Sequence, residues 1–162
     1  MPCESESAPA IRRLLSEHVQ ACRSIYRRAA IESDSADGYS ARQREVWASF
    51  AVDEGFSDFV LKDEGWGFFS ENVLCAFCSH EHNGYIRSLY VAPEYQRTGL
   101  GSRLLDHSLS RLRDPERIWS IASIFSRNLF ALFGFVLVEV EEKSYQGVTF
   151  SRYIMEKPNH ES

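Results

Sequence analysis

No stretch of this chain is apolar for long enough to cross a bilayer, which removes a membrane-spanning role. The first eight residues, Met1 to Ala8, are polar and carry Glu4 and Glu6. They lack the basic start and apolar core of a secretory signal, so a cytoplasmic location is expected and no membrane partner. Positive charge is scarce. Eighteen Lys and Arg against 23 Asp and Glu leave a net charge of −5, a poor match to a phosphate backbone that argues against nucleic acid as a partner. An anionic ligand would have to be held by a local device such as a helix N-terminus, against the overall field. Cysteine is sparse too: Cys3, Cys22, Cys75 and Cys78 are too scattered for a disulfide framework. The close pair, Cys75 and Cys78, lies in Val73–Cys78, which reads as a strand, and a spacing of three puts the thiols on opposite faces. They are read as buried core cysteines, with no metal or redox centre. Repeats, low-complexity segments and linkers are also absent, so the 162 residues are expected to form one domain, with 1–9 and 158–162 as flexible ends.

What is present is apolar material: 44% of residues are hydrophobic and 13% aromatic, enough to offset the ordering entropy of a fold and to exclude wholesale disorder. A short strand is predicted near Ile11–Leu14. Leu15, Val19, Cys22, Ile25, Tyr26 and Ala29 then recur at helical spacing behind Ser16, a residue able to cap. A polar loop at 32–38 leads to Ser40, which caps a second helix burying Val46, Trp47 and Phe50, and a third helix is read at about Phe56–Lys62. Strands follow at Trp66–Ser70, Val73–Ser79 and Tyr85–Ala92, linked by turns at Glu71-Asn72 and Asn83-Gly84. Leu100, Leu104, Leu105, Leu109 and Leu112 mark one face of a helix that ends before Asp114-Pro115. A strand at Ile118–Ser123, a short helix at Arg127–Phe133 stopped by Gly134, and strands at Phe135–Glu142 and Val148–Glu156 complete the chain. A meander, a helical crossover and a closing hairpin argue for a mixed α/β fold, a sheet with helices packed on it.

Chemistry concentrates where the strand through Leu89, Tyr90 and Val91 runs into Pro93 and then into a helix opened by Gln96-Arg-Thr-Gly-Leu-Gly-Ser102. The first-turn amides of that helix have no intrahelical acceptors and face the positive end of its dipole, so they suit a pyrophosphate. Glycine at 99 and 101 is read as letting phosphates approach the backbone and permitting torsions that a Cβ disfavours. Arg97 adds a cation at the rim.

This strand, Val-x-Pro and Gln-Arg-x-Gly-x-Gly opening an amphipathic helix resembles the acetyl-CoA-binding signature of the GCN5-related N-acetyltransferase (GNAT) superfamily. Ala131-Leu-Phe-Gly-Phe135 resembles the superfamily's second landmark, and Gly147–Lys157 resembles an uncharacterised bacterial subgroup of it. The resemblance implies a mixed, mostly antiparallel sheet with helices on both faces and a V-shaped splay between the fourth and fifth strands. It implies acetyl-CoA as co-substrate without a metal, an acceptor amine on a small molecule or peptide, and a monomer or homodimer. Leu89 and Val91 would pair with the acetyl-pantetheine arm as an added strand, flanked by Tyr90. The segment Gln96, Arg97, Thr98, Gly99, Leu100, Gly101 and Ser102 would hold the pyrophosphate. Ser123 and Ser126 fall where the family places small or polar groups facing the coenzyme, with helix capping as the other reading, and Phe130 is counted with them on the coenzyme side.

Two positions depart from the family pattern. Arg87 stands where an acidic base is usual, and Phe130 stands where a tyrosine that protonates the departing thiolate is usual. Direct attack by a neutral amine with water-borne protons remains open. Tyr85 shares the strand face of Arg87, and His82 titrates in a useful range, so both are catalytic candidates. Against this, tyrosines pack on sheets and turn histidines are commonly solvated. An acyl-CoA sensor or catalytically retired subunit on the same fold is the competing reading. Glu17, Glu32, Asp34, Asp37, Asp53, Glu54 and Asp58 make the N-terminal third acidic, which would attract a cationic amine or merely keep the domain soluble. Trp47 and Trp66 are read as core.

Overall fold

The computed structural model describes residues 10–32, 38–124 and 126–158. Cys3 and most of the polar loop at 32–38 lie outside the described residues. The strands are β1 (Ala10–Arg13), β2 (Glu64–Ser70), β3 (Val73–His80), β4 (Tyr85–Val91), β5 (Ile118–Ala122), β6 (Val136–Tyr145) and β7 (Val148–Lys157). They form one sheet in the order β1-β2-β3-β4-β5-β7-β6, antiparallel throughout except for β4 with β5. Two tight hairpins set the register. Glu71 and Asn72 take φ of 52° and 68° between β2 and β3, and Gln146 and Gly147 take 51° and 76° between β6 and β7. A left-handed pair at both central positions matches the twist of the strands it joins.

The helices are α1 (Val19–Glu32), α2 (Ala41–Ala48), α3 (Phe56–Leu61), α4 (Leu100–Ser110) and α5 (Arg127–Leu132). Alternation along β3 and β4 divides the core. Phe77 and Tyr90 face Cys22, Ile25, Tyr26 and Ala29 of α1 and Phe56 and Val60 of α3, whereas Cys78, Ile86 and Leu89 face Leu104 and Leu105 of α4 and Phe130 of α5. Ser40 caps α2 as expected: its Oγ accepts the Gln43 N–H at 3.1 Å, while the Gln43 side chain accepts the Ser40 N–H at 2.8 Å.

Two local expectations are corrected. Leu15 is 53% exposed and off the apolar stripe. Residues Ser16–His18 form a tighter 3-10 turn ahead of α1, and Leu15 takes the cap position, its N–H donating to His18 Nδ1 at 2.9 Å. Cys75 and Cys78 are buried as read but pack into the same core cluster. Phe68 pairs with Ala76 and Phe69 with Leu74, so Cys75 is the extra residue of a β-bulge that cancels the odd spacing. Among the described residues no cluster of metal-ligating side chains occurs.

One buried ionic group fastens the far end of the sheet. Glu64 on β2 sits opposite His80 on β3, with Oε1 3.4 Å from His80 Nε2. It accepts from Arg111 Nε at 2.9 Å and from Trp66 Nε1 at 3.0 Å. Burial alone would raise the Glu64 carboxyl, but the bonds from Arg111 and Trp66 outweigh it and bring it to about 2. Burial moves the His80 imidazole the other way, from 6.5 to about 4, despite Glu64. The unfolded chain takes up the His80 proton below 6.5 and the folded chain only near 4, so stability is full above this window and falls as pH drops through it. Protonation of Glu64 brings a second loss below 4.5. Urea denaturation at pH 7 and pH 5 is expected to show the parent losing roughly 1–2 kcal/mol, and His80→Phe a shallower dependence. Parallel curves for the two proteins would contradict the buried, neutral His80.

Candidate functional site

β4 and β5 stay together for only two residue pairs, Tyr85 with Trp119 and Ile86 with Ser120. At that point Ser120 Oγ donates to the Ile86 carbonyl at 2.8 Å, β5 remains paired with β7, and the two strands part. Arg87 marks the departure. His80 pairs with Ile86 and Ser79 with Ser88, so Arg87 is the extra residue of a bulge. Its guanidinium donates to the carbonyls of Phe59 (2.8 Å) and Lys62 (2.6 Å) at the end of α3, and to Glu81 Oε2 (3.2 Å). Beyond the bulge, the Ala92 N–H donates to Cys75 on β3. Strand alternation therefore turns the amides of Val91 and Leu89 the other way, into the gap. The Val91 carbonyl there accepts only a side-chain bond, from Gln96 Nε2 at 3.2 Å.

The gap opens onto a cavity of about 640 Å³. One wall is the start of α4, with Gln96, Arg97, Gly99, Leu100, Gly101 and Ser102, and the opposite wall is α5, with Ser126, Asn128, Leu129 and Leu132. The α4 ladder begins with the Arg103 N–H bonding to Gly99, and no side chain caps the helix, so the amides of 100–102 lack intrahelical acceptors. Gly99 has φ of 89°, and a Cβ there would meet no atom within 4 Å, so its torsion is the constraint and the space in front of it is open. Gly101 serves a different purpose from the one read in the sequence. Its backbone is ordinary helix, and a Cβ would stand 2.7 Å from Leu129 Cδ2 and 3.3 Å from Val91 Cγ2, so glycine lets α4 close on α5 and β4. Thr98 does not line the cavity; its hydroxyl bonds to the Tyr95 carbonyl.

A second cavity of about 260 Å³ meets the first at Leu89, Tyr90 and Ser126. Its walls are aromatic: Tyr26, Trp47, Phe50 and Phe59 on one side, Tyr85 and Tyr90 on β4, Phe130 on α5, and Tyr145 and Phe150 on the closing hairpin. Tyr85 stacks on Trp119 at 4.3 Å, and burial raises its phenol, which stays protonated. Burial raises Tyr90 further, opposed by the neighbouring Trp47, Ser123 and Tyr26 side chains. Ser123 lines this smaller cavity, and its N–H donates to Ser126 Oγ at 3.3 Å, so Ser126 braces the preceding turn and does not cap α5 with its side chain. The charged groups on the wall are Arg87, Lys143 and Arg152.

Three further readings change. His82 lines neither cavity; it is exposed beside Asp63 and Glu64, with Nε2 3.4 Å from Glu64. Trp47 is part of the site wall as well as packing on the core. None of the acidic residues of the N-terminal third that the structure describes lines the smaller cavity, and Asp34 and Asp37 lie outside the described residues. The contributions of Tyr26, Asn128 and the β6–β7 hairpin were missed. The hairpin left one trace, since Lys143 with Tyr145 and Phe150 with Arg152 are spaced by two and so share a face.

The Acetyltransferase (GNAT) domain family matches residues 35–157 of this chain. A curated relative, the Escherichia coli uncharacterised N-acetyltransferase YafP, is 29% identical over 134 residues, 81% of this chain and 85% of its own. The crystal structure of a GCN5-related N-acetyltransferase from Rhodopseudomonas palustris is 30% identical, covers 96% of this chain and 99% of its own, and superposes with a TM-score of 0.83. The PaiA N-acetyltransferase of Thermoplasma acidophilum, solved in complex with coenzyme A, is 20% identical, with a TM-score of 0.65 over 94% of this chain and 99% of its own. The chain belongs to the GNAT acetyltransferases and is an N-acetyltransferase.

The two glycines should respond differently to substitution. Gly99→Ala meets no clash but forces a side chain into a left-handed torsion, for about 1 kcal/mol. Gly101→Val must displace Leu129 and overpack the α4–α5 contact, for roughly 1–3 kcal/mol. Chemical denaturation of both variants checks the order, and a Gly101→Val protein as stable as the parent would show that the contact is slack.

Proposed function

We propose that this GNAT-family enzyme moves an acetyl group from acetyl-CoA to a primary amine by direct attack in a ternary complex, the larger cavity taking the coenzyme and the smaller one the acceptor. The observation that carries this reading is the meeting of the two cavities at Leu89, Tyr90 and Ser126, beside the free edge of β4. The donor side fits a coenzyme on its own chemistry. Unpaired amides at 100–102 and Arg97 suit a diphosphate, and the inward-turned backbone of Leu89 and Val91 suits an amide-bearing chain. The coenzyme A held by the Thermoplasma relative supports the same assignment.

The coenzyme supplies a thioester whose carbonyl carbon accepts the amine nitrogen as the C–S bond breaks. The chain must keep the amine neutral and protonate the sulfur. Arg87, Lys143 and Arg152 around the acceptor cavity disfavour a further positive charge, which favours the free amine. Arg87 itself is fixed by its three acceptors and acts through its charge alone. Phe130 offers no proton at its position. Tyr90 does: its phenol is protonated, stands at the junction, and is oriented by Tyr26 and Ser123. Tyr85, on the same strand as Tyr90, is another protonated phenol on the wall, held flat on Trp119. The amine's own proton leaves to water.

With both phenols raised by burial, the rate should climb with pH as the amine deprotonates and show no descending limb below pH 10. Tyr90→Phe is expected to lower kcat by about 10- to 100-fold with acetyl-CoA affinity kept near the parent's. Gly99→Val, which projects a side chain at the open end of α4, should weaken acetyl-CoA at least about ten-fold by calorimetry. A parent that binds acetyl-CoA but releases no CoA with any amine would support the sensor reading in place of catalysis. A Tyr85→Phe protein that loses the activity Tyr90→Phe keeps would transfer the acid role to Tyr85.

A further inference from the structure

Among the described residues the acceptor cavity carries three cations on its wall and no carboxylate, in a chain whose net charge is −5. Two of the cations are engaged. Arg87 is held by α3 and Glu81, and Arg152 Nε donates to Glu141 at 2.9 Å on the neighbouring strand. Lys143 differs. No acidic side chain among the described residues lies within ion-pair distance of it, and it stands on the chamber wall beside the rings of Tyr145 and Phe150. Its cross-strand neighbour is Phe150, three residues from Tyr153, the partner of the last β5 residue, Ala122. At about 3.4 Å per residue, this places Lys143 roughly 10 Å along the hairpin from the end of β5.

Resting on the proposed acceptor role of this cavity, we infer that the acceptor is a primary amine bearing a carboxylate on an aromatic or apolar body. The carboxylate seats on Lys143, the body lies among the aromatic walls, and the amine reaches the junction at Tyr90. Lys143 is exposed, so its ammonium meets the carboxylate at the rim of the chamber in a charge-assisted bond while the rings take the apolar body. Lys143 disfavours diamines, whose second ammonium would meet its charge, while Arg87 and Arg152 are already paired with Glu81 and Glu141. The acidic N-terminal residues, which taken alone would favour a cationic acceptor, do not reach this wall.

The test measures CoA release by the full chain with acetyl-CoA and three matched amines: benzylamine, para-(aminomethyl)benzoate and para-(aminomethyl)benzylamine. The carboxylate-bearing amine should exceed benzylamine in kcat/KM by at least about ten-fold, with the diamine lowest. Lys143→Gln should bring the first ratio close to one, and Lys143→Glu should turn preference toward the diamine, each in a protein with the parent's Tm. Transfer to benzylamine without a carboxylate preference, or a preference unchanged in Lys143→Gln, overturns the inference and leaves the acetyltransferase reading standing. If none of the three is acetylated, calorimetry with the CoA-saturated protein decides. Binding of para-(aminomethyl)benzoate weakened about ten-fold by Lys143→Gln supports the seat, and equal or absent binding overturns it. Failure to bind acetyl-CoA at all overturns the acetyltransferase reading itself.

Discussion

The rest of the site depends on one interruption: β4 stops pairing with β5 after Ile86. Parallel strands side by side continue by default, because each buried amide left without a partner costs about 1–3 kcal/mol. Here the default is broken from both sides. Antiparallel pairing with β7 engages every residue of β5, and the bulge at Arg87 bends β4 toward α3. Arg87 holds the bend, binding two α3 carbonyls and Glu81, while Ser79 Oγ also donates to Phe59 O at 2.7 Å and contacts Ser88 Oγ at 2.5 Å. Arg87 thus helps to create the gap between β4 and β5.

Charge is distributed in the same local manner. The chain is acidic as a whole, and several of its carboxylates are spent on structure: Glu64 beneath Arg111, Glu94 on Arg28, Glu156 on Arg117 at 2.9 Å. None of these lines either cavity. The net charge describes the field that an approaching ligand meets at a distance and is weakened beyond about 8–10 Å by salt. Inside the gap the nearest charges decide, and these are the α4 amides, Arg97 and the three cations of the smaller chamber.

Elements with a strong local signal were legible in the sequence. The leucine stripe of α4, the Ser40 cap, the turns at Glu71-Asn72 and Asn83-Gly84 and the stop at Gly134 each rest on chemistry within a few residues, and all appear in the fold. The left-handed Gly99 that opens α4 rests on an equally local signal. What failed depended on phase or on distant partners. A bulge moved Cys75 to the face of Cys78, and a 3-10 turn took Leu15 off its stripe. His82 looked suitable by titration range alone, but Asp63 accepts its N–H at 2.9 Å and keeps it on the outer side. The smaller chamber was the least legible part. It draws Tyr26 from α1, Trp47 from α2, Phe59 from α3, Phe130 from α5 and Phe150 from β7, and no sequence window contains more than a fragment of it.

The short helix α5 connects the two chambers mechanically. Leu129 and Leu132 form the outer wall of the larger cavity, while Phe130, one residue from Leu129, turns into the smaller. Six residues of helix have little stability of their own, so the position of α5 must be set by what holds its ends. At its start, Ser126 is tied to Ser123 in both directions, through its N–H and through its Oγ. At its end, the N–H groups of Gly134 and Phe135 close the last turn, and Lys157 at the end of β7 reaches the Phe133 carbonyl. Gly101 fixes the remaining coordinate by letting Leu129 approach α4. Any shift of α5 driven by a ligand against Leu129 must also move Phe130, so occupancy of the larger chamber bears on the shape of the smaller. On the proposed function, donor and acceptor would then be coupled through one rigid turn, a physical basis for each substrate to influence the affinity of the other.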